Sequence, residues 1–151
     1  MGEARQHRLA FWLGYSGIVP FVGLALLAIV SDAETAAWAG RGLLLYAAAI
    51  LSFLGGIVWG RAIAGMRDRS LIGELMISVQ PSLVAWVGAW IGGTAGFWVC
   101  GIGLLAVLAY DLTVEALPGW FRRLRLHLTA WAAGSVLLVG LLPLLGVPLF
   151  G

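Results

Sequence analysis

Five stretches of this chain, residues 9–30, 42–60, 75–91, 95–110 and 126–145, carry no Asp, Glu, Lys or Arg. About 20 apolar residues are enough to cross a hydrocarbon core of about 30 Å as a helix. In lipid, every backbone N–H and C=O must be satisfied inside the protein, so runs of this kind take helical form. Hydrophobic residues make up 62% of the chain and charged residues 11%. A soluble domain has about 45–50% and roughly 25%, and 151 residues could not enclose that apolar excess in a water-soluble core. The expectation is an all-α polytopic membrane protein, a single transmembrane domain over residues 1–151 built as a bundle of five helices. An amphipathic segment at 118–125, with Arg122, Arg123 and Arg125 outside the arc of Trp120, Phe121, Leu124 and Leu128, is expected at the membrane surface.

The run 9–30 is too long for the apolar core of a signal peptide, about 7–15 residues, and Val30-Ser31-Asp32 is a poor cleavage site, so it reads as the first span. Pro20 should bend it, because proline removes a backbone donor from the helix. Residues 31–41 read as a polar loop with Asp32 and Glu34, and residues 61–74 as a short polar loop with a helical turn. Gly92-Gly93-Thr94 reads as a tight turn joining spans three and four, and Pro143 and Pro148 as the end of span five.

The second span has a small residue at every fourth position: Ala48, Ser52, Gly56, Gly60 and Ala64. Small residues at this spacing let helix backbones approach closely in membranes. Steps of four drift by about 40° on a 3.6-residue helix, so no straight partner can use all five; Ser52, Gly56 and Gly60 are the expected packing segment. In the third span, Gln80 and Ser82 flank Pro81. Polar groups at such depth either satisfy backbone carbonyls freed by proline and face the bundle, or line a path for a bound molecule.

Eight of the nine basic residues fall in alternate connecting segments: Arg5 and Arg8, then Arg61, Arg67 and Arg69, then Arg122, Arg123 and Arg125, leaving only Arg41 opposite. Cytoplasmic segments are enriched in Arg and Lys, which places the N-terminus inside and the C-terminus outside. The expected setting is a bacterial cytoplasmic (inner) membrane. The high pI, near 9.2, does not imply nucleic acid, since the arginines sit between apolar runs.

Candidate chemistry gathers at that inner face. Arg61, Glu74, Asp111, Arg122 and Arg125 should share one membrane depth. Either Arg61 or Arg125 pairs with Asp111 and fixes the packing of spans two, four and five, because a buried Asp is costly unless paired. Or the arginines form a site for anionic lipid headgroups, whose phosphates their forked donors match. His7 and His127 have no carboxylate or thiol at useful spacing, and Cys100 lies inside an apolar run, so neither a metal nor a cofactor is expected. No nucleophilic triad or phosphate-binding loop is present, which points away from an enzyme.

Residues 13–21 (LGYSGIVPF), 50–60 (ILSFLGGIVWG), 81–86 (PSLVAW), Asp111 and 118–125 (PGWFRRLR), leading into Leu128-Thr129, resemble in order the motifs of an uncharacterised bacterial and mitochondrial membrane family that includes transmembrane protein 69. The family often has His where this chain has Val58, so proton or metal chemistry resting on that His would be missing here. The resemblance implies a five-span inner-membrane protein with no established activity; its occurrence in bacteria and mitochondria points by analogy to energy-transducing membranes. Two functions follow as expectations. One is a non-catalytic accessory subunit or assembly factor of a larger membrane complex. The other is a small carrier, channel or lipid-binding protein acting as a homo-oligomer.

Overall fold

A computed structural model describes residues 3–115 and 117–147. Met1, Gly2 and Pro148 lie outside the described residues, so the role expected of Pro148 is not placed. Six α-helices follow one another: α1 (Glu3–Ser16), α2 (Ile18–Val30), α3 (Ala33–Ile63), α4 (Leu71–Ile91), α5 (Gly93–Thr113) and α6 (Gly119–Leu141), with a short 3₁₀ turn at Leu142–Leu145. With α1 and α2 taken as one bent helix, five helices are long and apolar enough to cross a membrane. Each of α2 to α6 packs on its neighbour in sequence, and α6 returns to α2. α3 also touches α5 and α6, and it buries a continuous stripe from Ala36 through Leu43, Ala47, Leu51, Leu54 and Val58 to Ala62.

Pro20 acts as expected. It has no N–H for the Ser16 carbonyl, and α1 ends at Ser16, with Gly17 alone between it and α2. The Tyr46 hydroxyl on α3 donates to the Gly17 carbonyl at 2.9 Å and pins the break to the bundle. Tyr46→Phe should therefore lower stability by about 0.5–1.5 kcal/mol, the usual net worth of one hydrogen bond. Detergent unfolding followed by tryptophan fluorescence would measure it.

The helices outrun the charge-free runs. Residues 33–41 are not a loop but the start of α3. Asp32 caps it, accepting the Thr35 N–H at 3.1 Å and the Thr35 hydroxyl at 3.0 Å, and these bonds hold its carboxyl below the usual range. Residues 119–125 are likewise the opening turns of α6, continuous with the span, rather than a separate surface segment. Polar residues extend a helix past the apolar core at no cost once water or a cap takes its end groups. The turn between α4 and α5 falls where expected but is tighter, with Gly92 alone between the helices and α5 already begun at Gly93. Gly92 at φ +65° and Gly93 at φ +52° occupy a region that glycine enters without a Cβ penalty.

The packing face of α3 differs from expectation by one residue. A Cβ on Gly55 would stand 2.4 Å from the Ser78 carbonyl oxygen on α4, whereas one on Gly56 or Gly60 would meet nothing within 4 Å. Gly56 and Gly60 are exposed and Ser52 is half-buried. The reason is the helical period: with Leu51, Leu54 and Val58 facing the core, Gly56 and Gly60 fall on the far side. On α4, Pro81 is buried against Gly55, so its neighbours Gln80 and Ser82 swing about 100° away on each side and are exposed. The buried polar group here is Ser78, which donates to its own helix at the Leu75 carbonyl, 2.7 Å away. Ser82 does not line the bundle interior, whereas Gln80, though exposed, lines a cleft of about 150 Å³ between α3, α4 and α5 with Val58 and Tyr110.

Candidate functional site: a buried ion-pair network at one end of the bundle

The α3–α4 and α5–α6 connections lie at the same end, so four helix ends converge there. The last turn of α3 supplies Arg61, the first turn of α4 Glu74, the last turn of α5 Tyr110 and Asp111, and the second turn of α6 Arg125. All four charged groups are buried: Arg61 is 6% exposed, Glu74 1%, Asp111 4% and Arg125 6%.

Asp111 is the hub. Its Oδ1 accepts from Arg61 Nη1 at 3.2 Å and its Oδ2 from Arg125 Nε at 2.9 Å. Pairing of Asp111 with Arg61 or with Arg125 was the alternative read from sequence; both pairs form. Arg61 Nη2 also lies 3.7 Å from Glu74 Oε2, and that oxygen accepts the Tyr110 hydroxyl. The Tyr110 ring in turn lies under two guanidinium groups, with Arg61 at 5.0 Å and Arg69 at 5.6 Å from its centroid. Two buried arginines thus face two buried carboxylates, and the formal charges cancel. Asp111 sits near the C-terminus of α5, where the helix dipole disfavours a negative charge; the two arginines offset that cost.

The network is not fully satisfied. Arg61 Nε and Nη2, Glu74 Oε1 and Arg125 Nη2 are buried without a hydrogen-bond partner among the described residues. Buried polar atoms usually have one.

The fifth candidate, Arg122, does not join. It is half-buried, and its Nη1 reaches only the Leu112 carbonyl, at 3.5 Å. Arg123 is exposed. Arg67 donates to the Ala62 carbonyl at 2.8 Å. Asp68 accepts the Glu115 N–H at 2.6 Å and ties the two connections together. Tyr110, Arg69 and Asp68 were not among the site candidates read from sequence, although Arg69 counted toward the basic end; the adjacency of Tyr110 to Asp111 was the available signal. His127 lies at the surface, its Nδ1 3.4 Å from the Tyr15 hydroxyl. Among the described residues no three His, Cys, Asp or Glu side chains gather as a metal site would need.

Five apolar spanning helices closed around a charge-balanced network at one end define a polytopic helical membrane protein. The chain belongs to the family described as "Protein of unknown function (DUF3429)", whose model matches residues 6–148. It is similar to Transmembrane protein 69 of Xenopus tropicalis, with 37% identity over 133 residues, which cover 84% of this chain and 51% of that relative. The chain therefore spans about half the length of that protein. No solved structure matches it.

Proposed function

We propose that this protein is a non-catalytic lipid-binding protein of a bacterial inner membrane, with its arginine-rich end in the cytoplasm engaging anionic headgroups. The observation that carries this reading is the division of labour among the arginines. Arg61 and Arg125 are spent on Asp111 and Glu74 inside the bundle, while Arg122 and Arg123 remain at the rim on the opening turn of α6. Headgroup binding belongs to that rim rather than to the whole set of five candidates. Asp111 is engaged by two arginines and Glu74 at one oxygen by Tyr110, and both carboxylates are shut off from the surface, which leaves them poorly placed to act as bases toward a substrate.

An accessory subunit docking on a larger membrane complex is the second reading. The outward turn of Gly56 and Gly60 favours it, since among the described residues nothing lies within 4 Å of a Cβ at either and small-residue faces let helices approach closely.

Native mass spectrometry after mild-detergent extraction tests both. Lipid binding predicts that anionic phospholipid is retained, and that Arg122→Ala/Arg123→Ala binds it roughly 30-fold more weakly, at about 1 kcal/mol per arginine near a charged surface. Equal retention by the variant and the unsubstituted protein rejects the headgroup reading. A stoichiometric larger partner, lost on Gly56→Leu, supports docking instead.

A further inference from the structure

A cleft of about 210 Å³ opens between the α1–α2 arm, α3 and α6. Its walls are aliphatic and aromatic, from Leu13 on α1 across Leu54 on α3 to Phe121 and Ala132 on α6. Along α6 it extends over the eleven steps from 121 to 132, about 16 Å at 1.5 Å per residue. Two polar side chains line it, Arg125 and Thr129. Both belong to buried residues, 6% and 2% exposed.

Size and chemistry together narrow the occupant. Pockets for drug-sized ligands run to about 300–1,000 Å³; this one is smaller, long and apolar, the shape of a single hydrocarbon chain. An apolar groove alone would be wetted by any lipid tail. Arg125 makes this one selective. Its Nε is committed to Asp111 at 2.9 Å, but its Nη2 is buried with no hydrogen-bond partner among the described residues, and such an orphan donor costs free energy until an acceptor meets it. The charge there is already balanced, since Arg61 and Arg125 face Glu74 and Asp111. A further anion would enter a low-dielectric site with no net positive charge to receive it. A neutral oxygen acceptor incurs no such penalty.

We propose that this cleft binds a single-chain amphiphile bearing a neutral carbonyl, an ester or a quinone, with the chain along α6 and the carbonyl oxygen at Arg125. The site is distinct from the headgroup rim at Arg122 and Arg123 and does not depend on it. The bend at Gly17, pinned by Tyr46, sets the α1 wall: Gly14 packs on α6, where its Cβ would stand 3.0 Å from Leu128 Cδ1.

The test uses the full chain in phosphatidylcholine nanodiscs and a long-chain methyl ester carrying a diazirine near its carbonyl. After photolysis, peptide mapping should place the label on residues 53–57 and 124–132. The unlabelled ester should compete, while the chain-matched alkane and the chain-matched carboxylate compete about tenfold more weakly, the effect of one hydrogen bond to a charged donor. Ala132→Phe fills the cleft from a residue outside the ion network and should cut labelling by about tenfold; Arg125→Lys, which keeps the charge but removes Nη2 together with the Nε bonded to Asp111, should weaken competition by the ester about tenfold more than competition by the alkane. Label spread evenly over the lipid-facing helices, labelling unchanged by Ala132→Phe, or a carboxylate that displaces the probe better than the ester would overturn the proposal.

Discussion

Asp111→Ala should destabilise the folded protein by about 3–5 kcal/mol, the cost of stripping the partner from a buried charge. The substitution removes both oxygens that receive Arg61 and Arg125, at 3.2 and 2.9 Å, and leaves two guanidinium groups in a place where neither is more than 6% exposed. Arg61 keeps Glu74, 3.7 Å away, and the Tyr110 ring beneath it; among the described residues Arg125 keeps no ionic partner. The sign of the effect depends on what is left behind rather than on what the pair contributes. Exchanging the pair together, Asp111→Leu with Arg125→Met, should recover most of the loss, because apolar packing in place of a buried ion pair is often neutral or better. It also leaves Arg61 and Glu74 matched one to one. Titration from mild detergent into sodium dodecyl sulfate, followed by tryptophan fluorescence, gives the order: unsubstituted and double variant close together, Asp111→Asn intermediate, Asp111→Ala least stable. A single Asp111→Ala within about 0.5 kcal/mol of the unsubstituted protein, the range of surface substitutions, would show that water reaches the network and that its arginines are not committed to packing.

The same network shows why much of this site was legible in the linear chain and part of it was not. Arg61, Glu74 and Asp111 stand at the ends of charge-free runs, and alternate run ends must meet at one face of a bundle with short connections. Depth was therefore readable from spacing. Partner choice was not, because it depends on how the helices are rotated. Tyr110 takes part through Glu74, 36 positions away, and Asp68 through Glu115, 47 away; no local pattern announces either. Helix ends were misjudged for another reason. Hydropathy marks where lipid stops, and hydrogen bonding decides where a helix stops: Asp32 and Ser70 cap α3 and α4 outside the apolar runs. Rotation of α3 was the hardest to read. Small residues occur as adjacent pairs, Ala47-Ala48 and Gly55-Gly56, so a stripe of small residues can be drawn on either of two faces. The larger residues on the true face, Leu43, Leu51, Leu54 and Val58, break the tie, and in an apolar helix they do not stand out. On α4 the spacing of Glu74, Ser78, Pro81, Ala85 and Gly88, all buried, did carry the answer, in steps of four and three residues.

That rotation makes neighbouring glycines unequal, and a methyl group tells them apart. Gly55→Ala should destabilise the protein by about 1–3 kcal/mol, the usual penalty for overfilling a packed contact. Its Cβ would lie 2.4 Å from the Ser78 carbonyl oxygen, with Pro81 Cβ 3.4 Å away. The obstruction is backbone, which cannot rotate aside as a side chain could, so α3 and α4 must separate along the largest helix contact in the bundle. The opening would also carry Glu74, one turn before Ser78 on α4, away from Arg61, and would loosen the ion network without touching any of its side chains. Gly56→Ala adds the same methyl where nothing lies within 4 Å, and should change stability by no more than about 0.5 kcal/mol, or raise it slightly, since alanine favours the helix. Equal losses at both positions would mean that α3 is rotated between the two faces, and the assignment of Gly55 to the α4 contact would fail. If Gly56→Ala leaves the isolated chain intact but weakens recovery of a bound membrane partner, the outward face is a docking surface, and the two glycines divide internal packing from assembly on one helix.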